Sequence, residues 1–307
     1  MKVLHFDISN PLVLNEPIVA CIGYFDGLHK GHQALINRTL DYANTHNLKS
    51  CLITFDPDPS DVIETCKHKH LQSFKTRIRM IEEYNLDYCI ILKFTEDMAK
   101  LRYELFFDCV LAYLKIKYLI CGFDFKYGYK GMGNFHTLKA YSNDNFDVEM
   151  VDSINYNGDK ISTSLIKKAL SNGDIELINT MLGYEYFIEG IVTKGKHIGH
   201  LINFPTANLE IDDEVYPLKE GVYIAKVLYR NQYYKSMVNI GYNPTISINN
   251  HKTIEVHLLD FNYDIYGERL CVYFNTRLRD EMKFNSLEEL SSQLSKDREM
   301  VREYYGK

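Results

Sequence analysis

Short apolar runs rich in β-branched residues alternate with amphipathic stretches through the first half of the chain. Val19–Ile22, Ser50–Phe55, Tyr88–Phe94, Tyr118–Gly122 and Val148–Asp152 read as buried parallel strands. Gln33–Asn44, Lys75–Tyr84 and Glu104–Leu114 have helical spacing between them. Such alternation predicts an α/β half: a doubly wound parallel sheet that takes ligands at the carboxyl ends of its strands. A short helix, Leu165–Leu170, and an amphipathic segment, Asp174–Leu182, follow.

After Gly183 the pattern changes. Tyr186–Thr193, Val222–Tyr229, Tyr233–Ile240, Thr253–Asp260 and Leu270–Phe274 are strand-like runs separated by turn residues, with no long helical pattern among them. They predict an all-β half, an antiparallel β-barrel. A terminal helix closes the chain: Ser286 and Glu289 are spaced as a capping box, and Leu287, Leu290, Leu294 and Val301 share a face. A boundary near 182–186 gives two domains, 1–183 and 184–307, in keeping with the length of 307 residues. No internal repeat or low-complexity segment is evident.

Composition narrows the class. With 46% hydrophobic and 25% charged residues the chain has an ordinary globular make-up. No apolar run approaches the ~20 residues of a membrane span, and the first residues lack a basic region followed by an apolar one. Seven cysteines, an odd number without a C-x-x-C pair, fit free thiols in a reducing, cytoplasmic setting. A formal charge of −6 disfavours a nucleic-acid surface but does not disfavour ATP, for which local donors suffice. Neither a nucleic-acid partner nor a membrane is expected, and the oligomeric state is left open.

The chemistry starts at residues 23–32, Gly-Tyr-Phe-Asp-Gly-Leu-His-Lys-Gly-His, between the first apolar run and the first helical stretch. Gly23, Gly27 and Gly31 allow the backbone to approach phosphate oxygens. The next helix offers unpaired N–H groups and a partial positive charge at its start. His29 and His32 add donors that can follow charge developing on an α-phosphate. A glycine turn with two surface histidines is the plainer alternative, but the whole string at a strand-to-helix junction favours nucleotide chemistry.

This string resembles the G-x-F-D-G-x-H-x-G-H signature of the HxGH nucleotidyltransferases, and most closely that of the prokaryotic bifunctional riboflavin kinase/FAD synthetases. Thr54-Phe55-Asp56-Pro57, Cys121–Gly128 with Gly133-Asn134, and Ile161-Ser162-Thr163-Ser164 resemble further motifs of the same family. Phe204-Pro205-Thr206-Ala207-Asn208 and Ile254–Phe261 resemble its kinase half, and the matches run in family order over nearly the whole chain.

The resemblance implies a Rossmann-like FMN adenylyltransferase domain followed by a flavokinase barrel. Riboflavin, FMN and ATP are the implied substrates and Mg²⁺ the implied cofactor. In the first domain it implies phosphate contacts for His29 and His32 and an ATP loop shaped by Gly23, Phe25, Asp26, Gly27 and Gly31. Ser162, Thr163, Ser164 and Lys167 fall on its pyrophosphate side, and Asp124, Phe125 and Asn134 on its FMN side. In the second it implies a nucleotide loop with Gly195, Lys196 and Gly199, ATP contacts from Pro205, Thr206 and Asn208, and Mg²⁺ held through Thr206 and Asn208. Glu255 takes the general-base position, and Arg279 and Phe284 face riboflavin.

Several positions depart from the pattern. Lys167 replaces an Arg and loses its bidentate fork. Asp58 stands for the His of D-P-H-P, and Tyr24 for a smaller residue. Asn203, His200 and Asn243 replace Gly, Arg and Arg in the kinase half. Cys66 with His68-Lys69-His70 matches no ordinary zinc spacing and reads as an exposed basic loop. Two further readings fit the residues: an FAD synthetase with a weak or inactive kinase half, and a flavin- or nucleotide-binding sensor derived from the enzyme.

Overall fold

The computed structural model describes residues 1–64, 66–142, 146–194, 204–242 and 252–306. The chain divides into two compact units, Met1–Thr163 and Ser164–Lys307. The boundary expected at 183/184 lies one helix pair beyond this division.

The first unit is built on a six-stranded sheet: β1 (Lys2–Phe6), β2 (Ile18–Ile22), β3 (Lys49–Asp56), β4 (Tyr88–Lys93), β5 (Ile116–Gly122) and β6 (Asp147–Val151). All neighbours are parallel and the order is β1-β4-β3-β2-β5-β6. Every residue of β2 is buried, as its unbroken apolar run requires. From β2 the chain winds through β3 to β4 on one side, while β5 and β6 lie on the other. The carboxyl ends of β2 and β5 therefore flank the point where the strand order reverses, the usual ligand crevice of such sheets. The helix Lys30–His46 leads away from it. A two-stranded ribbon, β7 (Asn155–Tyr156) with β8 (Asp159–Lys160), follows the sheet.

Two expectations shift in detail. The helix expected over 104–114 is an α-helix at Tyr103–Cys109 followed by a 3₁₀ turn at Leu111–Leu114, because Val110 between them leaves helical geometry (φ −128°, ψ −65°). Edge strand β1 was not expected; only Phe6 of its five residues is fully buried, so it lacks the continuous apolar signal of the inner strands.

The second unit contains a closed antiparallel barrel of β9 (Phe187–Thr193), β10 (Ala207–Ile211), β11 (Gly221–Tyr229), β12 (Gln232–Tyr242), β13 (Lys252–Leu258) and β14 (Arg269–Arg279), in the order β10-β13-β12-β11-β14-β9. Two helices precede it, Thr163–Asn172 and Ile175–Leu182; Asn179 of the latter donates to the Phe274 carbonyl (3.0 Å) and accepts from the Tyr186 amide (2.7 Å).

The terminal helix, Leu287–Tyr304, begins where Ser286 accepts a hydrogen bond from the Glu289 amide (3.2 Å). The Glu289 carboxylate reaches one residue further back, to the Asn285 amide (2.9 Å). Leu294 and Val301 pack against Val222, Ile224 and Met237 as the spacing predicts. Leu287 does not join them and is half exposed. Further along the helix, Asp297 is fully buried and paired with Arg279. No described helix is long and apolar enough to cross a membrane.

Candidate functional sites

At the carboxyl end of β2 the chain turns sharply. The Gly23 amide donates to the Ile53 carbonyl (3.1 Å), and Thr54 Oγ1 donates to the Tyr24 carbonyl (3.0 Å), so β3 holds the start of the loop. Phe25 and Gly27 both have positive φ, 62° and 69°. A Cβ at Gly27 would stand 2.5 Å from Leu71 Cδ1, so only glycine fits there. The buried Asp26 carboxylate accepts from the Leu71 amide (2.9 and 3.1 Å) and the Gln72 amide (3.4 Å), which locks the loop to the segment before the next helix.

His29 caps the helix Lys30–His46, and its Nδ1 accepts from the His32 amide (3.4 Å). An accepting Nδ1 puts the ring proton on Nε2 and makes that atom a donor. The two imidazoles stack with centroids 3.6 Å apart and planes 17° apart. Gly31 makes room for this, because a Cβ there would come within 3.1 Å of the His29 ring. Burial pushes His29 down to about 4, helped by the nearby Lys160 ammonium. His32 also lies well below its usual value, from burial first and then from His29, Arg77 and Lys160. Both rings are neutral at pH 7. The Nδ1 of His32 is buried and makes no hydrogen bond among the described residues.

Around this pair the structure adds Arg77, which the sequence did not single out, and His70, which was expected in an exposed basic loop but is buried. Buried Arg77 donates to the Phe55 carbonyl (3.1 Å) and lies 4.0 Å above the Tyr24 ring. Buried His70 lies 3.6 Å from the Asp58 carboxylate and 3.9 Å from that of Asp26. The two departures near this loop thus have partners: Tyr24 covers Arg77, and Asp58 caps the helix Pro59–Ile63 through the Ser60 amide (2.7 Å) besides facing His70.

The remaining expected residues of this half spread outward. Thr163 Oγ1 reaches the Asp26 carbonyl (3.5 Å), while Ser164 and Lys167 lie further along the same helix. Asp124 is exposed and paired with Lys160, whose ammonium is 4.5 Å from the Phe123 ring. Phe125 stacks on Tyr127, with centroids 5.8 Å apart. The Asn134 side-chain Oδ1 accepts from the His136 and Thr137 amides (2.9 and 3.2 Å) and so starts the helix Phe135–Ser142.

In the barrel, strand register makes the second cluster. Asn208 on β10 is paired with Glu255 on β13, and Glu255 with Asn239 on β12. Directly paired residues point to one face with Cβ atoms about 4.5–5.5 Å apart. All three are half-buried between buried apolar neighbours. Asn239 was not expected; only the register reveals it. Pro205, Thr206 and Ala207 line a cavity of about 310 Å³ with Val192, Val256 and Phe261. His257 holds that rim, its ring bonded through Nδ1 to the Pro205 carbonyl (2.8 Å) and set against Phe204.

Arg279 is engaged by Asp297 through Nε (3.0 Å) and Nη2 (2.6 Å), and Phe284 is half-buried. Gly195, Lys196, Gly199, His200, Asn203 and Asn243 lie outside the described residues.

For Mg²⁺, Thr206 and Asn208 offer neutral hard oxygens two residues apart in the chain. That set fits an ion which takes most of its shell from phosphates and water.

Comparison with known proteins points the same way. The FAD synthetase family model matches residues 13–165 and the riboflavin kinase model residues 182–305. The bifunctional riboflavin kinase/FMN adenylyltransferase of Listeria monocytogenes is 35% identical over 306 residues, covering 99% of this chain and 98% of its own. The Bacillus subtilis protein of the same name is 35% identical over 312 residues, covering 100% and 99%. A crystal structure from Streptococcus pneumoniae, named as a macrolide-efflux protein, superposes with a TM-score of 0.87 at 29% identity over 98% of this chain and 99% of that one. The chain belongs to the bifunctional riboflavin kinase/FMN adenylyltransferase family.

Proposed function

We propose that the chain makes FAD from riboflavin in two steps at two separate sites, one in residues 1–183 and one in 184–307. The observation that carries this reading is the neutral, stacked His29–His32 pair at the start of the helix Lys30–His46, where the sheet order reverses. Membership of the family makes the protein a transferase of FAD biosynthesis with riboflavin, FMN and ATP as its small-molecule substrates. We also place it in the cytoplasm.

In the first site a phosphate oxygen of FMN attacks the α-phosphorus of ATP, and the bond to the β-phosphate breaks as pyrophosphate leaves with the electron pair. No covalent enzyme intermediate is needed, so the protein positions and stabilises charge. His29 Nε2–H and the His32 ring donate to α- and β-phosphate oxygens, beside the helix N-terminus. Gly23, Phe25, Asp26, Gly27 and Gly31 shape the loop. Asp26 acts through the Leu71 and Gln72 amides rather than on the nucleotide, whose charge its carboxylate would repel. Ser162, Thr163, Ser164 and Lys167 serve the departing pyrophosphate, and Asp124, Phe125 and Asn134 the FMN side.

In the second site Glu255 takes the proton of the ribityl 5′-hydroxyl as that oxygen attacks the γ-phosphate and ADP leaves. Pro205, Thr206 and Asn208 hold the nucleotide, and Thr206 and Asn208 would hold Mg²⁺, which would neutralise phosphate charge. By the family resemblance, Gly195, Lys196 and Gly199 belong to the nucleotide side of this site. Arg279, anchored by Asp297, fixes the segment that brings Phe284 to riboflavin.

Purified protein given riboflavin, ATP and Mg²⁺, with products separated by chromatography, tests the reading. FMN and FAD together are expected. FAD formed only from added FMN would leave an adenylyltransferase alone, and flavin binding without turnover would leave a sensor.

A further inference from the structure

Cys66, His68 and His70 do not form one cluster. His70 is buried beside Asp26 and Asp58, whereas Cys66 is exposed and His68 lies near the surface. Folding replaces His70 with Glu64. Cys66 Sγ is 3.3 Å from His68 Nε2 and 3.9 Å from Glu64 Oε2, and the last two atoms are 3.1 Å apart. All three donors lie within 4.8 Å of one another, a spacing that can hold a metal ion.

We propose that Glu64, Cys66 and His68 form a binding site for a zinc-class divalent cation. Zinc bonds of about 2.3 Å to sulfur and about 2.1 Å to nitrogen or oxygen set tetrahedral S···N and S···O separations of about 3.6 Å and N···O of about 3.4 Å. The three observed separations each differ from that triangle by about 0.3 Å. A thiolate, an imidazole and a carboxylate suit a borderline-soft ion better than Mg²⁺, which takes oxygen ligands. The surface position leaves the fourth place to water.

The turn is braced for this. The His68 amide donates to Asp61 Oδ1 (2.7 Å), which ties the turn to the preceding helix. A few residues on, the Leu71 and Gln72 amides hold the Asp26 carboxylate of the nucleotide loop. A bound cation would pin the start of the segment whose end supports that loop. An exposed Glu–His ion pair four residues apart explains Glu64 and His68, but not the convergence of the thiol on both.

The test is a cobalt titration of the tag-free, full-length, reduced protein, followed by thiolate-to-cobalt charge-transfer absorbance, with zinc as competitor. One equivalent bound at micromolar affinity is expected, with the band abolished by Cys66→Ser and kept in Cys109→Ser. Even outer partners of metal ligands are worth about 10–100-fold in affinity, so Glu64→Gln and His68→Ala should each weaken binding by about a hundredfold. Metal-free melting temperatures of the three variants should match the parent, because these side chains lie at the surface. No charge-transfer band, a band that survives Cys66→Ser, or binding indifferent to Glu64→Gln and His68→Ala would each overturn the site.

Discussion

In the N-terminal unit Asp26, His29 and Arg77 are all buried, each held by backbone atoms, whereas in the barrel Asn208, Glu255 and Asn239 are half-buried on paired strands. The first arrangement is a packed scaffold. Desolvation costs its polar groups, and hydrogen bonds to peptide N–H and C=O groups offset that cost. The second needs only strand pairing: register alone brings three side chains together. In the proposed reading the difference follows the chemistry. Adenylyl transfer uses fixed neutral donors whose aim must not drift. Phosphorylation uses a carboxylate that takes a proton from the attacking hydroxyl, and strand pairing is enough to place it.

Substitutions should therefore behave differently in the two halves. The largest effect is expected for Glu255→Ala, which should lower FMN formation by about 10²–10⁴-fold while sparing FAD formation from FMN and the melting temperature. His29→Ala should lower adenylyl transfer by about 10²–10³-fold and spare riboflavin phosphorylation. Equal damage to both steps from either change would remove the distinction between the sites.

Asp26→Asn should affect the fold as well as the rate. Hydrogen bonds to a charged group are worth about 1.5–3 kcal/mol, so a loss of that order is expected in denaturant unfolding of the N-terminal unit. Unchanged stability would mean that the Leu71 and Gln72 amides do not depend on the carboxylate.

The smallest effect concerns pH. His29 should titrate at about 4 in the ligand-free protein, measured from its imidazole resonances. An unfolded histidine titrates at about 6.5. Between the two values the unfolded state binds more protons, so the stability contributed by neutral His29 is complete above about 6.5 and falls as pH drops towards 4. Added ATP should raise the midpoint, because phosphate favours the protonated ring. A ligand-free midpoint near 6.5 would mean that the ring is not buried as the structure has it.

Legibility in the sequence follows the range of the contacts. Inner strands β2 to β5 show as apolar runs because both faces are covered, and the loop at 23–32 shows because its glycines and histidines are adjacent in the chain. Arg77, Asn239 and His257 do not show. Arg77 reaches a carbonyl 22 residues away and His257 one 52 residues away, so no local period marks either. Asn239 gains meaning only when β12 pairs with β13. Strand β10 starts at Ala207, within Phe204–Asn208, which reads as a motif rather than as a strand. The terminal helix was half legible: Leu294 and Val301 follow the apolar period, whereas Asp297 breaks it and is buried because Arg279 comes from another element.

Two separate active sites joined by a diffusible FMN can be tested by complementation. Glu255→Ala and His29→Ala protein, each unable to convert riboflavin to FAD alone, are mixed in equal amounts with riboflavin, ATP and Mg²⁺, and FAD is followed over time. FAD should accumulate after a lag in which FMN builds up. A mixture as inactive as either variant, with each variant folded, would contradict two sites working in sequence.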